Sequence, residues 1–209
     1  MKENDNARVR ARILKEPGLP PFFQAGGDRS NWETALFMPT LSRLRFGLPS
    51  LPPPEFRFGE LESSDVPIRI LTKDRWPSEI QFSNCLWFPE MDGEYCSCLL
   101  QAIYDSYASI RSNYDFLSEE DAARCLPDLA DPSALYPMVR LNWLTIHAVA
   151  HASIPYIGAE FACAWDDEQG LGMLSCGTEI LDLGTADVAV NGERARTHRA
   201  ELLEKLKHS

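Results

Sequence analysis

The chain has 209 residues, enough for one ordinary domain with added segments, and its 20 basic and 31 acidic residues give a formal net charge of −11. A field of that sign repels nucleic-acid phosphates and anionic lipid, so neither nucleic acid nor a membrane is expected as a partner, whereas a protein with a basic surface is. Hydrophobic residues at 44% and charged residues at 24% exclude wholesale disorder.

The amino terminus, MKENDNARVRARILKEPG, lacks the apolar stretch of a secretory signal, and no apolar run reaches the roughly 18 residues that span a bilayer. The protein is therefore expected in the cytoplasm. Its six cysteines, Cys85, Cys96, Cys98, Cys125, Cys163 and Cys176, then read as reduced thiols. Residues 1–16 alternate loosely between charged and apolar positions and suggest a short helix stopping at Pro17. Eight prolines fall between Pro17 and Pro54, which argues against long regular elements there. Phe22, Phe23, Trp32, Leu36, Phe37, Leu41, Leu44 and Phe46 are too apolar for a free linker. The expectation is a proline-rich arm over 1–55 packed on the main domain, with one short helix near 32–37.

The main domain is expected over 56–192. Residues 66–71 (VPIRIL) and 80–88 (IQFSNCLWF) read as strands. Residues 94–112 place Cys96, Leu99, Leu100, Ile103, Tyr107 and Ile110 at helical spacing. Ser118, with Asp121 three residues on, looks like the start of a short helix. Residues 141–153 could be a helix or a strand. The β-branched Thr145, Ile146 and Val149 and the nearby Pro155 favour a strand that turns near 151–154. From Ile157 a period of two puts Ile157, Ala159, Phe161, Cys163 and Trp165 on one face, the mark of a half-buried strand. Asp166, Asp167 and Glu168 follow at the expected hairpin bend, and Gly170 and Gly172 open the next strand. A carboxyl-terminal helix is expected over 193–209. The sum is an α+β fold, an antiparallel sheet with two or more packed helices.

No complete catalytic motif is present. His147 and His151 have the spacing by which a helix offers two imidazoles to one ion, but Ala148 stands where the zinc-hydrolase pattern needs glutamate. On a strand the two rings lie about 13 Å apart and cannot share an ion, so no metal site is expected; a helix would restore one. Cys96 and Cys98 form a C-x-C expected at a helix start, where the Cys96 thiol would be lowered in pKa. Asp166, Asp167 and Glu168 could serve as acid and base, bind a hard cation, form a solvated loop, or contact a protein.

The run Tyr156-Ile157-Gly158, Phe161, Cys163, Trp165-Asp166, Glu168, Gly170-Leu171-Gly172, then Gly184 with Ala186-Asp187, resembles a family of uncharacterised bacterial domains. Those domains carry Y-x-G-x-x-F-x-C-x-W-D-x-E-H-G-L-G followed by a polar hairpin and G-x-A-D. The resemblance covers about residues 60–190, and Gln169 stands where the family usually has histidine. It implies a small soluble cytoplasmic protein, immunity-like in some toxin systems, with no catalytic residue to carry over. The leading expectation is a non-enzymatic immunity-type protein without a cofactor, which neutralises a cognate basic effector. Its partner-binding residues would be Asp166, Asp167, Glu168 and Gln169, with Trp165, Gly170 and Gly172 as loop anchors. The alternative is a small-ligand or cation-binding domain, and the third is a metallo-hydrolase using His147 and His151.

Overall fold

The computed structural model describes residues 13–15, 18–24, 31–48, 56, 60–72, 76–114 and 118–207. Its strands form one eight-stranded sheet in chain order: β1 (Ile13–Leu14), β2 (Phe22–Gln24), β3 (Asn31–Phe37), β4 (Asp65–Leu71), β5 (Val139–His151), β6 (Ile154–Cys163), β7 (Asp166–Cys176) and β8 (Glu179–Gly184). Every neighbouring pair is antiparallel except β4 and β5, which run parallel. A parallel pair needs a long crossover, and here it contains α1 (Glu79–Ser112) and α2 (Glu119–Cys125). The architecture is α+β, a mostly antiparallel sheet with helices.

The 34-residue α1 covers one face of the sheet. Cys85, Phe88, Tyr95, Cys96, Leu99 and Ile103 on its buried stripe meet Ile68 and Ile70 of β4, Leu144 and Ile146 of β5, and Ile157, Ala159 and Phe161 of β6 in one core. Residues 80–88, expected as a strand, are the first turns of this helix. Two polar residues hide its period: Gln81 and Asn84 are buried, while Ile80 and Leu86 are about half exposed. Gln81 donates to the carbonyls of Leu71 (2.9 Å) and Ile146 (3.3 Å), and Asn84 to that of Val149 (3.4 Å), tying the helix to the sheet backbone. The helix starts with a capping box in which Ser78 and Gln81 exchange hydrogen bonds.

Residues 32–37 are not helical either. Asn31–Phe37 pairs with β4 over seven residues, burying Trp32, Thr34 and Leu36, so sheet pairing overrides local propensity. A 3-10 helix at Leu41–Phe46 follows. Its first amides, those of Thr40 and Leu41, donate to the buried Asp92 carboxylate of α1 at 2.7 and 2.8 Å. The helix expected over 1–16 falls mostly outside the described residues, and within them Ile13–Leu14 is strand.

Residues 141–151 lie within β5, and the β5–β6 turn is made by Ala152 and Ser153, both at positive φ as a type I′ turn requires. On the sheet face opposite α1 lie a 3-10 helix at Ala186–Val190 and α3 (Gly192–Lys207), over a smaller cluster of Val149, Tyr156, Leu174, Cys176 and Ala195. Two glycines permit that approach. A Cβ on Gly158 would sit 1.7 Å from the Ala189 carbonyl oxygen, and one on Gly172 would sit 2.4 Å from that of Thr185. Both clashes are with backbone, so neither is relieved by a side-chain rotation.

Gly158→Ala is therefore expected to destabilise the protein by about 2–3 kcal/mol through overpacking. Gly93, inside α1 with nothing within 4 Å of its Cβ position, is the control: Gly93→Ala should stabilise by roughly 0.5–1 kcal/mol. Urea unfolding of the two variants beside the parent checks both signs.

Candidate functional site

The acidic run does not form a simple bend. The turn between β6 and β7 is made by Ala164 and Trp165, and Asp166 already pairs with Cys163. The next ladder pair is Phe161 with Leu171, so residues 167–170 on β7 face Ala162 alone on β6 and loop out of the ladder. Asp166 holds this bulge from inside. Its Oδ1 accepts from the amides of Gln169 (2.8 Å) and Glu168 (3.2 Å), and its Oδ2 from the Tyr114 hydroxyl at the end of α1 (2.9 Å). Burial first, then the bond to Asp166, raises the Tyr114 pKa, which keeps the hydroxyl a donor. Gly170, at φ +63°, returns the chain to the ladder; a Cβ there would meet the Phe161 carbonyl oxygen at 2.6 Å.

The predicted site residues thus separate by task. Trp165 is buried and stacks edge-on against Tyr107 (6.1 Å between ring centroids). Gly170 and Gly172 make close backbone approaches. Asp166 is half-buried and committed to the turn, while Asp167, Glu168 and Gln169 are exposed.

An open cleft lies on each side of the turn. The first, of about 490 Å³, runs between the end of α1 (Asp105, Ser106, Ser109, Asn113) and the strands carrying Asp166 and Gly184, with Thr185 just beyond the second. Trp165, Asp166, Gly170, Leu171 and Gly184, all from the run singled out in the sequence, line it together. The second, of about 670 Å³, holds Asp167 and Arg124 among mainly apolar walls, with Trp165 shared between the two. Sequence reasoning missed Tyr114 and the α1 residues. Their signal was a stripe at spacing four, Asp105, Ser109 and Asn113, on the polar side of a helix read only for its apolar side.

The other candidates lie apart. His147 and His151 are on β5, an extended strand, and His147 is buried with Nε2 donating to the Ala189 carbonyl at 3.1 Å. Cys96 and Cys98 sit in the middle of α1, not at its start, and burial raises the Cys96 thiol instead of lowering it. Cys163 and Cys176 are on neighbouring strands at opposite ends of the β6–β7 ladder. Among the described residues the six cysteines are free thiols, no group of three or more His, Cys, Asp and Glu side chains could hold a metal, and no helix is long and apolar enough to cross a membrane.

A mostly antiparallel sheet with one long helix across its inner face, and a looped-out acidic bulge between two clefts, defines a small α+β domain. The chain belongs to the family described as Domain of unknown function (DUF6985), whose model matches residues 56–190, from ahead of β4 to the end of the 3-10 helix at Ala186–Val190. The strands β1 to β3 and α3 lie outside the matched stretch. No curated protein and no solved structure matches the chain.

His147 also gives the domain a pH dependence. Burial lowers its pKa from the ordinary 6.5 to about 4, outweighing the Ala189 bond. The unfolded chain therefore binds one more proton than the folded one between those values. Stability is fully present above pH 6.5 and declines as pH falls toward 4, by about 3 kcal/mol in all. His147→Gln keeps a donor for Ala189 but cannot titrate. Unfolding free energies measured across this window should fall more steeply for the parent than for the variant.

Proposed function

We propose that the protein is an immunity-type protein, which binds and neutralises a cognate toxin or effector in the cytoplasm and catalyses no reaction. Its contact is the bulge carrying Asp167, Glu168 and Gln169, set against a basic surface of the partner. The observation that carries this reading is the double use of the acidic run. Asp166 holds the turn through three hydrogen bonds, so its neighbours stand exposed on a braced backbone rather than on a free loop. A preorganised contact loses less conformational freedom on binding. The net charge of −11 adds electrostatic steering toward a basic partner. Support comes also from the resemblance of residues 156–187 to domains of which some are immunity-like in polymorphic-toxin systems.

A second reading, a small-ligand or cation-binding domain, draws on the two clefts, whose volumes fall in the range of small-molecule sites. The test is affinity capture from the native host with the tagged full-length chain, followed by kinetics on the captured protein. Asp167→Lys with Glu168→Lys should slow association, speed dissociation and weaken the complex by about tenfold or more. Unchanged binding by the folded double variant overturns the bulge as the interface. Capture of no partner, with a saturable thermal shift for a small ligand or cation, favours the second reading.

A further inference from the structure

We infer that the cleft beside α1 takes the guanidinium group of an arginine side chain presented by the bound partner, an inference that rests on the neutralisation reading above. The cleft is amphipathic in the way such a side chain is. Ile110, Trp165, Leu171 and Leu183 supply apolar surface for three methylenes, and Asp105 and Asp166 supply charge for the head. No lysine, arginine or histidine is among its described lining residues, so the chain offers these carboxylates no basic partner of its own there. Asp105 accepts one bond, from Gln101 Nε2 at 2.7 Å, and Asp166 accepts three. A carboxylate has about four acceptor positions, so both keep capacity.

Arginine fits better than lysine. Its planar fork of five donors matches a cleft lined by two carboxylates and the Ser106, Ser109 and Thr185 hydroxyls, and a guanidinium stacks on aromatic rings such as Trp165. An anionic ligand would be repelled, and a purely apolar one would desolvate Asp105 and Asp166 without compensation. Position makes the same case. Asp166 and Gly170, which line the cleft, bracket the three exposed bulge residues, so a partner seated on the bulge covers the cleft mouth.

Two experiments on the full-length protein test this. In the first, isotope-labelled protein is titrated with N-acetyl-arginine methylamide and with its neutral isostere N-acetyl-citrulline methylamide. Saturable shifts at the amides of Ser106, Asn113 and Thr185 and at the Trp165 indole are expected for the arginine compound alone. Equal responses, or none that saturates, overturn the inference. In the second, Asp105→Asn with Ser109→Trp should weaken the captured partner about 30-fold, the scale of an interface hot spot, with the unfolding midpoint unchanged. An unchanged affinity overturns the arginine anchor while leaving the bulge interface to its own charge-reversal test. If free arginine binds as tightly as an arginine-bearing partner peptide, the source is a free small molecule and the partner's side chain is overturned.

Discussion

The fold depends on two places where one segment of backbone lies directly on another. Gly158 on β6 and Gly172 on β7 leave the sheet without side chains where the carbonyls of Ala189 and Thr185 come down. Seating residues 185–189 this closely has consequences in three directions. The Ala189 carbonyl becomes the acceptor for the buried His147 Nε2. The chain passes from the 3-10 helix into α3 at Gly192, over the outer face, with Ala195 buried there and His198 Nδ1 3.0 Å from the Tyr156 hydroxyl. Gly184 and Thr185 are fixed at the edge of the cleft beside α1. A single steric allowance therefore joins the buried histidine, the terminal helix and the candidate site.

The acidic run shows how one residue type divides into two roles by environment. A carboxylate accepting two amides and a phenol is held by charge-assisted bonds and fixes the chain around it. The next two carboxylates, on a strand that has left its ladder, accept no amide of the described residues and are exposed to water. The three side chains are therefore in unlike environments, one bonded within the turn and two in water. This also separates the residue that shapes the turn from the two exposed beside it.

The sequence displayed the part of the fold in which each residue follows the period of its own element. The run from Ile157 alternates cleanly because β6 buries one face against α1 and meets a 3-10 helix with the other. The β-branched Thr145, Ile146 and Val149 marked β5, and Ser118 marked α2. Legibility failed where polar side chains took core positions. Gln81 and Asn84 are buried because their amides satisfy carbonyls of the sheet, while Ile80 and Leu86 face water, so the helical period of α1 was inverted in its first turns. The serine and glutamine of its capping box were the local sign that remained. At the site, the tryptophan, the carboxylates and the glycines could be picked out along the chain. Tyr114 could not, because its partner Asp166 is 52 residues away and only the packing of α1 on the sheet brings them together.

Three consecutive carboxylates repel one another, and the fold relieves this only in part. Asp166 is compensated by donors, yet among the described residues no ion pair involves Asp167 or Glu168. The Arg124 that shares a cleft with Asp167 is paired instead with Asp121 at 2.8 Å. An exposed pair of like charges costs little in water, where screening is strong, but it remains unfavourable in the isolated protein. A cation brought to the bulge removes that repulsion and adds attraction, so the gain on association exceeds what the same contacts would give on a neutral loop. The brace at Asp166 matters for this reason as well. A free loop would relieve the repulsion by moving its charges apart, whereas a braced one retains it.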